Sequence, residues 1–356
     1  MTRSPASATA AVLDRGELED ELHRIRPLVR AGLEAAVARM GPDLERIVSY
    51  HLGWTDIDGH PVVADTGKLL RSCLAVLSAE AVGAPSSRGV PGGVAVELVH
   101  NFSLLHDDVI DLDRERRHRP TTWTVFGIGP AIVAGDALLT LAFEVLLEAG
   151  GQAAANATSA LVTATATMTA GQALDMANQV RTDVVGIDDV LDMFRCKTGA
   201  LIGGAASIGA VLAGADGEVV EALQQFGSHL GIAFQAVDDL LGTFGDSTVT
   251  GKDVGGDVRR RKLTLPLAAA LGKGGAPAEE LAAIMRSDTD LDTWHVKRAT
   301  QLMEACGGRE LTLQYARENR DIALAALARA TESGRLDAAA VRSLRAITEF
   351  ALHRTY

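Results

Sequence analysis

The chain has 356 residues, of which 47% are hydrophobic and only 4% aromatic, and it carries a formal net charge of −12. A core drawn mainly from Ala, Val and Leu suits packed helices better than a β-sandwich, and the acidic balance excludes a general nucleic-acid binder, which would need a basic face. The three cysteines, Cys73, Cys196 and Cys306, show no CxxC or Cys/His spacing, which excludes a zinc site or disulfide framework and suits a reducing, cytoplasmic setting.

The opening MTRSPASATAAVLDRG has no apolar core long enough for a signal peptide and reads as a flexible tail over residues 1–15. Beyond it, apolar residues recur at i, i+3, i+4 and i+7. That spacing predicts helices over Leu18–Met40, Leu69–Val82, Val94–Asp111, Ala131–Leu147, Val162–Val180, Val219–Leu241 and Leu311–Ala330. No alternating run of β-branched residues calls for a strand. Gly/Pro/Ser clusters at Gly83–Gly93 and Leu271–Pro277 punctuate the helices, but neither is long or polar enough for a domain linker. The most apolar run, Ala200–Ala215, has 16 residues. A spanning helix needs about 20, so this run predicts a buried helix and no membrane span. The economical reading is one all-α domain over residues 16–356, a single helical bundle.

Two acidic clusters end apolar helices. In LLHDDVIDLDRERRHRP, Asp107 and Asp111 are four apart and share a helix face, with Asp108 beside them. In GIAFQAVDDLLGTFGD, Asp238 and Asp239 repeat the pattern. Carboxylates this close repel one another unless a cation compensates them, and hard oxygens without His or Cys suit magnesium. The two clusters are expected to face each other across a cavity and clamp a metal–phosphate complex. Guanidinium offers paired donors, so Arg116 and Arg117 are expected to hold phosphate oxygens, while Arg114, Glu115 and Arg119 read as a surface salt-bridge lattice.

These blocks resemble the two aspartate-rich motifs of the trans-type polyprenyl (isoprenyl) diphosphate synthases: DDVIDLDRERRHRP the first, FQAVDDLLGTFGDSTVTGKDVGGDVRRRKLTLP the second with its lysine-bearing tail. The similarity runs from about Thr66 to Ala270, in the family's order. It implies an isoprenoid synthase-type fold of helices around a deep central cavity, a homodimer, and magnesium at about three ions per active site. It also implies head-to-tail condensation of an allylic diphosphate with isopentenyl diphosphate. Asp107, Asp108, Asp111, Asp238 and Asp239 match the magnesium-binding aspartates. Arg116, Lys197, Lys252 and Lys262 match groups that hold the allylic diphosphate, and only six of the 34 basic residues are lysine. Lys68, Arg71, His100 and Arg117 would form the isopentenyl diphosphate pocket. Thr198 and Gln235 would stabilise developing positive charge, and Gln172 is a further polar lining position. The proton acceptor would be the released diphosphate.

Three departures stand out: Leu69 and Ser72 replace the arginine and proline of KRxRP, and Gly242 replaces the third aspartate of the second motif. Product length is expected to depend on Phe102, five residues before Asp107 and about 7–8 Å below it along the helix, with Ser103 leaving room beside it. In the family that pattern resembles geranylgeranyl (C20) synthases, with farnesyl (C15) second. A class I terpene cyclase remains an alternative. Against it, Gly242 stands where that motif needs a hydroxyl, aromatics are few, and a cyclase has no second substrate for Lys68, Arg71, His100 and Arg117. A non-catalytic partner subunit is the other alternative, although such a subunit should have lost its acids.

Overall fold

The computed structural model describes residues 15–62, 69–179, 185–245, 255–287, 289–332 and 335–352. The fold is all-α, with a single two-stranded ladder among the described residues. Two compact units arise from interleaved stretches. One holds the chain up to Leu161 with Ala205–Glu221 and Arg329–Ile347; the other holds Val162–Gly204, Ala222–Ala328 and the chain from Thr348 onward.

In the first unit, α1 (Arg15–Val37) buries Leu18, Leu22, Ile25, Val29 and Leu33, one stripe at helical spacing. After α2 (Pro42–His51), α3 (Leu70–Ala81) is buried almost throughout and packs on α4 (Ser86–Ile110). Here the expected break at residues 83–93 is corrected, because Ser86–Gly93 form the first turns of α4. A Cβ on Gly89 would stand 2.8 Å from the Cα of Val76, and one on Gly93 3.0 Å from the carbonyl of Ser72. The glycines let two backbones touch, and that packing outweighs their poor helix propensity.

A hairpin of β1 (Glu115–Arg116) and β2 (Arg119–Pro120) follows, then α5 (Thr122–Phe126) and α6 (Ile128–Glu148). Helix α6, not the run at Ala200, is the one described helix long and apolar enough to cross a membrane, with a mean hydropathy of 1.8 over its best window. It packs on α4 through a buried row of Ala131, Ala134, Gly135, Leu138 and Ala142, leaving Ile128, Ile132, Val133 and Leu147 exposed.

Helix α7 (Gly151–Gln179) starts well before the predicted Val162. From α8 (Ile187–Phe194) in the second unit, the chain runs through a π-helical turn, Arg195–Gly199, into α9 (Ala200–Leu212), which is buried as predicted and belongs to the first unit from Ala205 onward. Helix α10 (Gly217–Phe244) carries the second acidic pair. The short α11 (Gly256–Arg259) and α12 (Leu265–Gly272) follow, then α13 (Ala276–Met285), α14 (Thr293–Ala305), α15 (Gly308–Glu332) and α16 (Ala338–Leu352). One core joins Phe194, Ile232, Val237 and Leu265, and another joins Leu267, Leu281, Leu302 and Met303.

Candidate active site

Asp107 and Asp108 lie in the last turn of α4, and Asp111 is its C-cap, its N–H donating to the Asp107 carbonyl at 2.8 Å. Asp107 and Asp111 therefore sit one turn apart, as the spacing predicts. Asp108 is buried. Its Oδ1 accepts from Nε and Nη2 of Arg116 at 2.8 and 2.7 Å, while its Oδ2 is buried with no hydrogen-bond partner. Burial raises the Asp108 pKa and the Arg116 guanidinium opposes that rise.

The arginine hairpin turns at Arg117 and His118, whose φ angles of 52° and 60° place both in the left-handed region. That is the hand of a type I′ turn, and two side-chain-bearing residues there store strain of the kind found at functional sites. Arg119 departs from the expected salt-bridge lattice. It donates to the carbonyls of Tyr50 and Thr55 at 3.4 and 2.8 Å and stacks on the Tyr50 ring at 4.5 Å. Arg114 lies 5.8 Å from the centre of the Trp123 ring. None of Arg114, Glu115 and Arg119 forms an ion pair with a described residue.

Arg71 and His100 come together as predicted, Arg71 Nη1 lying 3.3 Å from His100 Nε2. Burial depresses both pKa values, and the charge of Arg117 depresses them further. Arg117 has no hydrogen bond or ion pair to a described residue. The departures beside this pair have local explanations. Leu69 is the left-handed N-cap of α3, with φ 50°. The Ser72 hydroxyl donates to the buried Glu97 carboxylate at 2.9 Å, which also accepts from Asn101 at 3.3 Å. Lys68 lies outside the described residues.

In the second unit, Lys197 and Thr198 stand on the π-helical turn. Gly171 of α7 makes room for that turn, since a Cβ there would be 2.3 Å from the Lys197 backbone nitrogen. Lys197 Nζ donates to Asp175 Oδ2 at 2.6 Å, a partner that sequence reading missed although it closes the same GQALD block as Gln172. Gln172 Oε1 is buried without a partner. A chain of bonds runs from Thr198 Oγ1 to Gln235 Oε1 (2.9 Å), and from Gln235 Nε2 to Asp239 Oδ1 (3.2 Å). Asp239 Oδ2 accepts the Leu265 N–H at 2.8 Å. Burial pushes the Asp239 pKa up to about 8, the Leu265 N–H opposing it and the charge of Asp257 adding to it. Gly242 has a neighbour in place of its missing carboxylate: a Cβ there would lie 1.8 Å from Asp257 Oδ2. The Lys262 N–H bonds the Asp257 carbonyl at 2.9 Å, and Lys252 lies outside the described residues.

The donor set fits a hard cation. The clusters offer carboxylate oxygens, and the orphaned Oδ2 of Asp108 needs a partner that no described residue supplies. Asp56, Asp58 and His60 also gather within 4.8 Å of one another, but the Asp56 carboxylate accepts the N–H groups of Asp58 and His60 and braces its own loop.

The fold is that of the all-α isoprenoid synthases. The polyprenyl synthetase family matches residues 59–303. The (2E,6E)-farnesyl diphosphate synthase of Mycobacterium tuberculosis is 44% identical over 295 residues, 82% of each chain. The geranylgeranyl diphosphate synthase of the same organism is 41% identical over 313 residues, 88% of this chain and 89% of that one. The crystal structure of polyprenyl synthetase from Streptomyces coelicolor A3(2) is 44% identical, with a TM-score of 0.89 over 94% of this chain and 99% of that one. Geranylgeranyl pyrophosphate synthase from Corynebacterium glutamicum, crystallised with isoprenyl diphosphate and magnesium, is 26% identical, with a TM-score of 0.78 over 96% of this chain and all of that one. The chain belongs to the polyprenyl synthetase family and is a prenyl-transferring enzyme of its short-chain class.

Proposed function

We propose that this enzyme condenses an allylic diphosphate with isopentenyl diphosphate, head to tail, and releases geranylgeranyl diphosphate, with farnesyl diphosphate as the second reading. One observation carries the two-substrate chemistry. Arg71 meets His100 at 3.3 Å, and the guanidinium of Arg117 lies within Coulombic reach of both, apart from the Arg116–Asp108 pair; a cyclase would have no second anion to put there. Asp107, Asp108, Asp111 and Asp238 would hold magnesium, whose charge stabilises the departing diphosphate. Asp239, with both oxygens taken by protein donors, would act by orienting Gln235.

Arg116, Lys197, Lys252 and Lys262 bind the allylic diphosphate, and Lys197 must exchange Asp175 for it. Lys68, Arg71, His100 and Arg117 orient isopentenyl diphosphate. The Thr198 hydroxyl gives its proton to Gln235, so its lone pairs are free to face positive charge developing on carbon. Gln172 lines the same path, and released diphosphate takes the proton. The Phe102 ring packs edge-on against His106, with centroids 4.8 Å apart, and Ser103 bonds back to the His100 carbonyl. A braced ring beside a small residue supports a C20 floor. We also place the enzyme in the cytoplasm as a homodimer, supported by three free cysteines and the exposed apolar side of α6; light scattering in solution tests the dimer.

The decisive experiment supplies isopentenyl diphosphate with dimethylallyl, geranyl or farnesyl diphosphate in turn and identifies the dephosphorylated alcohols by mass. Geranylgeraniol is the expected end product, and Phe102→Ala should lengthen it. Farnesol would keep the mechanism and overturn the length. A cyclic hydrocarbon from geranylgeranyl diphosphate alone, without elongation, would overturn both.

A further inference from the structure

His51 is a half-buried residue with a sealed ring nitrogen that the mechanism above does not use. It ends α2, where Tyr50 is pinned to the arginine hairpin from both sides. The Tyr50 hydroxyl donates to the Pro120 carbonyl at 2.9 Å, and the Tyr50 carbonyl accepts from Arg119. The two His51 nitrogens differ. Nδ1 lies 3.3 Å from the hydroxyl of Thr122, the first residue of α5, whereas Nε2 is sealed from solvent and has no hydrogen-bond partner.

His51 lines a cavity of about 40 Å³ with Asn101, Asp108, Arg116 and Arg117. That volume takes roughly two or three water-sized oxygens, enough for part of a phosphoryl group. The ring stays neutral there, burial and then the two guanidiniums drawing its pKa down to about 3. A neutral imidazole carries one N–H. The Thr122 hydroxyl can donate to Nδ1 at 3.3 Å, and in that tautomer the proton sits on Nε2, where a buried donor without an acceptor is costly. Asn101 and the open Oδ2 of Asp108 line the same cavity, yet neither forms a hydrogen bond with Nε2, and the nearest charges are guanidiniums.

The two arginines of the cavity are not equivalent. Arg116 is committed to Asp108, whereas Arg117 has no hydrogen bond or ion pair to a described residue. Both Arg117 and His51 lie within Coulombic reach of His100. We propose that His51 donates its Nε2–H to a phosphoryl oxygen of isopentenyl diphosphate held by Arg117 and His100, with Thr122 setting the tautomer. This inference rests on the two-substrate reading.

The test titrates isopentenyl diphosphate calorimetrically into full-length, magnesium-free enzyme, alongside steady-state kinetics of the magnesium-loaded enzyme. His51→Ala should weaken binding about tenfold or more, the usual cost of losing a hydrogen bond to a charged group. Its KM for isopentenyl diphosphate should rise in parallel, with the allylic KM within about twofold of wild type. His51→Gln, whose amide N–H can reach the same oxygen, should recover most of the affinity. Thr122→Val, which keeps the ring and frees the tautomer, should cost about threefold, part of one hydrogen bond.

Unchanged affinity in His51→Ala would overturn the proposal. So would a rise confined to the allylic KM, or equal losses for both substrates with a lowered melting temperature and no recovery in His51→Gln. If the alanine variant folds poorly, an unchanged Thr122→Val variant overturns it instead. Absence of prenyl products from the wild type would defeat the two-substrate reading, whereas products with no dependence on His51 would defeat this inference alone.

Discussion

Asp108 and Asp239 occupy the same place in two Asp-Asp pairs, each at the end of an apolar helix and each almost fully buried. Their surroundings give them different work. Asp108 meets a guanidinium on one oxygen and nothing on the other, so it remains a charge waiting for a cation. Asp239 meets a backbone N–H and a side-chain amide, two neutral donors that satisfy its oxygens without countering its charge. Burial therefore drives it toward the protonated form near neutral pH, and it anchors the chain of bonds that ends at Thr198. Identical dipeptides thus acquire a role from the donors around them.

The largest expected effect tests that contrast directly. Asp108→Asn should lower kcat/KM for elongation on the order of 10²–10³-fold, as the loss of one preorganised electrostatic group does. Asp239→Asn should lower it less than about tenfold, because the amide resembles the neutral acid. Equal losses would mean that Asp239 binds metal directly after all.

The next effect separates the regions by pH. Asp239 has a folded pKa of about 8 against an ordinary 3.8, so the folded state holds the extra proton between them. Stability should then fall as pH rises through that window. His51 has a folded pKa of about 3 against 6.5, so the unfolded state binds the extra proton and stability should fall as pH drops below 6.5. Either slope is at most about 1.4 kcal/mol per pH unit. Denaturant titrations across pH should find the first slope flattened in Asp239→Asn and the second in His51→Gln.

Restoring the family's residues should sharpen the comparison further. Gly242→Asp would push a side chain into the Asp257 carboxylate and cost about 1–3 kcal/mol, as overpacking does. Asp257→Gly in the same chain should return most of the melting temperature. The smallest effect should come from Ser72→Pro, which leaves the buried Glu97 without one donor at a cost of about 1 kcal/mol. A melting temperature that rises instead would show that this hydrogen bond contributes little.

Much of the site was legible because helical spacing is local. The i, i+4 relation of Asp107 and Asp111 needed no tertiary information, and the resemblance paired Arg71 with His100 and Thr198 with Gln235 across long separations, as the coordinates do. Arg119 was misread because charge suggests ion pairing, whereas it donates to two carbonyls, one in the last turn of α2 and one just past it. His51 gave no signal, since its value as a donor depends on a cavity formed by α2, α4, α5 and the hairpin. The glycine-rich start of α4 read as a loop for a similar reason: propensity is counted residue by residue, while the backbone contacts with α3 that favour helix there are not local.

The sequence by itself determined that the chain is helical, that two acidic pairs end apolar helices, and that rare lysines and paired arginines accompany them. Periodicity, charge and motif order are properties of neighbouring residues, and they survive without coordinates. Tertiary structure alone decided which oxygen of Asp108 stays bare, which acid holds Lys197, and where Asp257 stands relative to Gly242. Each of those depends on which donor arrives from a distant segment, because a buried polar group takes its energy and its protonation from whatever partner the packing brings within about 3 Å.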